Sequence, residues 1–310
     1  MADRAASSDR RPTAAAGGLV EAKSLAAGLP DLLVEARRAA ANVIAGWHGR
    51  RRAGPGETFW QFRPFADGEP AIRIDWRRSA RDDHLYVRER EWEAAHTLWL
   101  TADLSASMAF RSQLGQAAKR DRAIVLLLAL AEIAARGGER VGMLGVAAPI
   151  ASRQAAERLA TALAHAVGDG VVPAAFPETT RVGRFCDVVA IGDLLDPIAE
   201  STAWIRQLAG RGVRGHLVQV LDPVEETFPF GGRTEFQDPE SGVRIVAGRA
   251  ERWAEAYRLR FLAHREALRD VARRVGWSFQ VHHTDRPASE ALIGLRAVLT
   301  GAGGPGGVAA

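Results

Sequence analysis

From Thr97 onward the chain alternates short apolar runs with helix-length segments, and this rhythm limits the fold more than any other feature. Thr97 to Ala102, Val141 to Ala147, Val188 to Ile191, His216 to Leu221 and Trp277 to Val281 read as strands. Ala117 to Arg136, Arg153 to Val167, Ile198 to Leu208, about Ala250 to Val275 and Ser289 to Leu299 read as helices, the first stopped by Gly137-Gly138. Strands that are continuous apolar runs are buried on both faces. Their alternation with helices predicts an α/β domain on a mostly parallel sheet flanked by helices. Glu225 to Gly248 breaks the rhythm. Its Phe228, Phe230 and Phe236, with the turn Asp238-Pro239-Glu240-Ser241-Gly242, predict a β-arm inserted into the domain.

Upstream the texture differs. Residues 1–20 are small and polar and read as a disordered leader, and the glycine-rich residues 301–310 read as a flexible tail. Asp31 is a candidate N-cap for a helix to about Gly46, with Leu32, Leu33, Ala36, Ala39, Ala40 and Val43 on one face. With the Arg-, Asp- and Trp-rich stretch that follows, it makes an N-terminal extension, residues 21–95, expected to pack on the main domain, residues 96–300, whose arm spans 225–248.

Charge and cysteine usage narrow the function classes. Of the 41 basic residues 39 are arginine, Lys23 and Lys119 being the lysines, yet the net charge is only +4. Acid and base interleave, so no nucleic-acid footprint stands out, and Arg50-Arg51-Arg52 reads as a solvated turn. Cys186 is the single cysteine, which rules out an intrachain disulfide or a cysteine metal cluster and favours a buried thiol. The start lacks the apolar core of a signal peptide, and Ala123 to Ala131 is too short to span a membrane. A cytoplasmic location is the expectation.

The chemistry gathers at strand ends. Asp103, Asp193 and Asp222 each end a strand, where open α/β sheets form ligand crevices. Ser105 and Ser107 follow Asp103, and in a turn residues i, i+2 and i+4 can aim oxygens at one point. One or two carboxylates plus two hydroxyls suit a hard cation such as Mg²⁺, with Mn²⁺ or Ca²⁺ as alternatives. The same serines also suit a helix N-cap.

A longer pattern surrounds this motif. Phe62 to Arg81 contains Ala66-Asp67-Gly68-Glu69-Pro70, Arg73-Ile74-Asp75-Trp76 and Ser79-Ala80-Arg81; Tyr86-Val87-Arg88-Glu89 and Asp103-Leu104-Ser105-Ala106-Ser107-Met108 follow. Over residues 45 to 295 the chain thus resembles the bacterial family catalogued as domain of unknown function 58. The resemblance implies a von Willebrand A-like (Rossmann-like) fold and a metal-ion-dependent adhesion site at Asp103, Ser105, Ser107 and Asp193. It further implies a non-enzymatic role beside a MoxR-type AAA+ ATPase or its client, which would offer an Asp or Glu to the ion. The threonine ligand of such domains has no counterpart in a proper setting, Thr179 and Thr180 being the nearest. A metal-dependent phosphoester hydrolase and a metal-free scaffold are the competing readings.

Other residues read as structural. Asp75 and Trp76 among their arginines suggest an ion-pair network more than a partner face. Asp222-Pro223 reads as a strand terminator, and His282-His283 point to opposite faces of a strand. His264 reads as a satisfied semi-buried histidine, and Trp253, Tyr257 and Phe261 as helical core.

Overall fold

In the computed structural model the described residues are 14–45, 59–66, 70–81, 84–90 and 96–300. The expectations for residues 1–13, Arg50-Arg51-Arg52 and 301–310 lie outside them. Two compact units are present, residues 1–47 with 97–310, and residues 48–96.

Helix α1 (Ala14–Ala45) starts inside the expected leader and runs through Pro30, so Asp31 is not its N-cap. An interior proline costs about 3 kcal/mol. Burial of Leu25, Leu29, Ala36, Ala40 and Val43 against the neighbouring helices outweighs it. The helix therefore belongs with the main body and not with the stretch that follows it. In the smaller unit β1 (Phe59–Pro64) pairs antiparallel with β2 (Tyr86–Arg90), around the short α2 (Trp76–Ser79). Asp75 caps α2 by accepting the Arg78 N–H at 3.0 Å, while Trp76 is exposed. Asp75 is thus a local structural residue.

The main body continues with β3 (Thr97–Ala102), α3 (Lys119–Arg136), β4 (Arg140–Met143), β5 (Ala147–Ile150) and α4 (Ala155–Gly168). After an irregular stretch come β6 (Asp187–Gly192), α5 (Ile198–Ala209), β7 (Arg214–Leu221) and α6 (Pro223–Thr227). The arm is β8 (Thr234–Gln237) and β9 (Arg244–Ala247), followed by α7 (Ala254–Arg274), β10 (Ser278–His283) and α8 (Ala288–Leu299). The run Val141 to Ala147, expected as one strand, is broken. Gly145 adopts a left-handed φ of 73°, and β5 returns antiparallel to β4 at the sheet edge.

The six strands lie in the order β10-β7-β6-β3-β4-β5, parallel except for β5. Side chains alternate across it. Leu98, Leu100, Ala102, Val189, Ile191, Val218 and Val220 join the core under α1, α3, α4 and α8. Trp99, Val188, Ala190 and Leu217 join a second core under α5 and α7. Helix α3 is buried continuously from Ala123 to Ala131, which explains its lack of a polar stripe. From β3 the chain proceeds to β4 on one side and later to β6 on the other. The strand order therefore reverses between β3 and β6, the place where sheets of this kind open a crevice.

Candidate functional site

Asp103 and Asp193 follow the two strands that flank this reversal. Ala102 pairs with Ile191, and the Asp103 N–H donates to the Ile191 carbonyl at 2.8 Å, which brings the two aspartates level. The approach is close enough to demand glycine: a Cβ on Gly192 would lie 2.9 Å from the Asp103 Cβ and 3.2 Å from that of Ala175. Beyond β6 the backbone is strained, Leu194 holding φ 53°. It is pinned there by Gln219 Nε2, which donates to the Asp193 carbonyl at 2.9 Å, and by His264 Nε2, 2.9 Å from the Leu194 carbonyl. His264 is thus a satisfied histidine.

The loop after β3 turns its hydroxyls toward Asp193. The Ser105 N–H donates to Asp103 Oδ1 at 2.9 Å. Ser107 Oγ donates to Asp193 Oδ2 at 2.9 Å, and Ser105 Oγ lies 3.2 Å from Ser107 Oγ. Neither serine caps α3, whose N-cap is Ala118, and Ser105 makes no side-chain cap to the 3₁₀ turn it precedes. All four expected residues therefore meet in one place.

Two further residues enter that the sequence reading did not single out. The Lys119 ammonium, almost fully buried at the start of α3, donates to Asp193 Oδ2 at 3.0 Å and to Glu225 Oε1 at 2.6 Å. Glu225 is placed by a capping box after β7: Asp222 accepts the Val224 N–H, and Glu225 Oε2 accepts the Asp222 N–H at 2.8 Å. Asp222 thus ends its strand as expected. The only hint of Lys119 in the sequence is its rarity in a chain that otherwise uses arginine.

Burial dominates the electrostatics. It lifts the Asp103 carboxyl to about 6, and it raises Asp196, with Asp193 adding to the rise. Glu225 is raised by burial even against the Lys119 charge. For Lys119 burial is the largest influence and works downward, but Asp193 and Glu225 together outweigh it and hold the ammonium above its ordinary value. Asp193 and Glu225 thus share one fixed ammonium, and Asp103 and Asp196 stand within charge range of Asp193. If all four are ionised, three negative charges stand in excess.

The oxygens gathered here are of the kind a small divalent ion takes, with Asp193 Oδ2 already accepting from both Ser107 Oγ and the Lys119 ammonium. Ligands at about 2.1 Å in octahedral geometry stand about 3.0 Å apart along an edge. The 3.2 Å and 2.9 Å separations of Ser105 Oγ, Ser107 Oγ and Asp193 Oδ2 lie near that length. Among the described residues no three His, Cys, Asp or Glu side chains converge as metal ligands. Thr179 and Thr180 do not line the cavity, and the Thr179 carbonyl accepts Arg211 Nη1 at 2.9 Å, just ahead of the first residue of β7. The backbone of this stretch reaches the motif instead: the Pro173 carbonyl accepts the Leu104 N–H and the Ala174 carbonyl the Thr101 hydroxyl.

The site opens into a cavity of about 700 Å³. Asp103, Asp193, Asp196 and Glu225 make it acidic, and Phe110, Phe228, Phe230, Phe236 and Tyr257 give it an aromatic wall. Tyr257 is fixed by its hydroxyl, which donates to the Glu225 carbonyl at 2.7 Å. From the arm, Glu240 reaches in and accepts the Ser107 N–H at 2.8 Å.

Residues 61–269 match the family described as "Protein of unknown function DUF58". The uncharacterized proteins Rv1480 of Mycobacterium tuberculosis (strain ATCC 25618 / H37Rv) and Mb1516 of Mycobacterium bovis are each 30% identical over 241 residues, covering 73% of this chain and 74% of the relative. Among solved structures, the conserved hypothetical protein BatB from Bacteroides thetaiotaomicron is similar with TM-score 0.40 and 15% identity, over 66% of this chain and 99% of that one. An aerotolerance-related membrane protein from Bacteroides fragilis gives TM-score 0.37 and 18% identity, over 63% and 96%. Among the described residues no helix is long and apolar enough to cross a membrane.

Proposed function

This chain belongs to the DUF58 family, and from that premise we propose that it is a non-enzymatic, von Willebrand A-like protein-interaction module. Asp103, Ser105, Ser107 and Asp193 would hold a Mg²⁺-type ion, to which a partner protein adds an Asp or Glu carboxylate. Bound there, the ion supplies a point of positive charge in an otherwise acidic cavity. The observation that carries this reading is the pair of serine hydroxyls turned away from helix capping and toward Asp193, at spacings an octahedral ion uses. The partner class, a MoxR-type AAA+ ATPase or its client in protein assembly or maturation, is taken from the family resemblance, and a cytoplasmic location is part of the same proposal. A second reading, a metal-free scaffold, has Lys119 in its favour, because its ammonium already rests on Asp193.

Thermal unfolding with rising Mg²⁺ or Mn²⁺ separates the two. At a tenfold excess over Kd the ion should add about 1.4 kcal/mol, a rise of about 3 °C in Tm, for the wild type and nothing for Asp103→Ala. An unresponsive wild type would leave the scaffold.

A further inference from the structure

Glu240 brings one more carboxylate to the motif, and the proposed ion site does not need it. Its Oε1 accepts the Ser107 N–H at 2.8 Å, on the wall of the cavity that holds Asp103 and Asp193. The Lys119 ammonium is already shared by Asp193 and Glu225, so a further carboxylate here adds to an excess of negative charge that a bound cation would relieve. The turn that carries it is preorganised. Asp238 accepts the N–H groups of Glu240 at 3.0 Å and Ser241 at 3.3 Å, and the Ser241 hydroxyl also donates to it.

The arm is fastened at its root. Phe236 stacks on Phe228 and Trp253, with ring centroids 5.7 and 6.0 Å apart, and the Gly232 N–H donates to Glu251 at 2.8 Å. Farther out it is solvated, with Val243, Ile245 and Val246 each more than half exposed. Among the described residues, the bond from Ser107 is the only hydrogen bond joining residues 238–243 to the body. A ribbon anchored at one end and held by one bond at the other can release its tip without unfolding the sheet.

We propose that Glu240 is a resident stand-in for the partner's carboxylate. In the unbound chain the arm's turn covers the docking surface. The partner segment that replaces it has the chemistry of the turn itself: an Asp or Glu on a tight bend beside a proline or aromatic side chain that packs on Phe110 and Phe228. This rests on the carboxylate-accepting site proposed above and adds what competes for it. A tethered occupant acts at an effective concentration in the millimolar range, so it filters out segments that bind only weakly.

The probe is a synthetic peptide of the arm itself, Phe236–Val243, added to the full chain as wild type and as Glu240→Ala. With Mg²⁺ present, calorimetry should show the peptide binding the variant at least about tenfold more tightly than the wild type, whose site is already covered. A peptide with alanine in place of its Glu240 should bind neither. Equal affinity for both chains, or no binding to the variant at millimolar peptide, while Mg²⁺ still raises the Tm of both, would overturn the stand-in and leave the ion site intact. If Mg²⁺ stabilises neither chain, the ion reading fails separately. A preference for the variant that persists in EDTA would then keep the stand-in on the Ser107 N–H alone, and its loss would remove both.

Discussion

Burial raises the Asp103 carboxyl from an ordinary 3.8 to about 6, the Ser105 N–H opposing the rise and the Asp193 charge adding to it. Between those values the folded chain keeps a proton that the unfolded chain has released, so stability falls as pH rises through the window. Above about pH 6 the penalty is complete, on the order of 3 kcal/mol. Asp103→Asn keeps an acceptor for Ser105 and removes the charge. In urea unfolding without divalent ions it should be more stable than the wild type at pH 8, by up to about 3 kcal/mol, and equal to it at pH 4. Equal stability at pH 8 would mean that the charge is already compensated. That Asp103 and Asp193 lie at one crevice is legible in the sequence because each follows an apolar strand, and strand ends are where sheets bind ligands, whereas Ser105 and Ser107 join them through the family resemblance. Lys119 and Glu240 are not legible. A lysine before an apolar helix reads as its solvated first turn, and a glutamate in a Pro/Gly turn reads as surface, since neither pattern records what lies across the cavity.

The five-residue helix α6 carries more than its length suggests. Its capping box aligns Glu225, and Glu225 in turn grips Lys119. Asp222 also accepts the Ser112 N–H at 2.8 Å, which ties the loop leading to α3 to the end of β7. Asp222→Ala should therefore cost about 1–2 kcal/mol for the lost cap, by denaturant midpoint at unchanged m-value, and should weaken any Mg²⁺ response by loosening the turn that carries Glu225, whose own bonds to the Asp222 N–H and Lys119 remain. A full Mg²⁺ response in that variant would separate α6 from the ion site. At this scale the sequence was readable where periodicity is strong, as in β3, β6, β7 and α5. It failed where tertiary packing overrode a local signal. Pro30 and Asp31 look like a helix start, yet buried Leu25 and Leu29 carry α1 straight through. Gly145 marked the turn that divides β4 from β5, but the apolar run around it masked the turn.

Stability across the whole molecule should be uneven. In the unit of residues 48–96 the residues described as buried are Ile74, Ser79 and Val87, whereas every residue of β6 is buried between two layers of helices. Small units bury a smaller share of their surface and are correspondingly marginal. In native-state hydrogen exchange the paired amides of β1 and β2 should therefore open at free energies at least about 2 kcal/mol below those of β6. Matching values would mean that the two units unfold as one. The parallel order of the main sheet was foreseeable from alternating apolar strands, whereas the grouping of residues 48–96 into a compact unit of their own was not, because their charged, aromatic texture reads as an extension of whatever precedes them. Lys119 has a practical corollary at this scale. To a reagent that acylates amines, the folded chain offers one accessible lysine side chain, Lys23. Acylation of Lys119 then becomes a clock for the opening of the cavity, already built into the protein and free of any label.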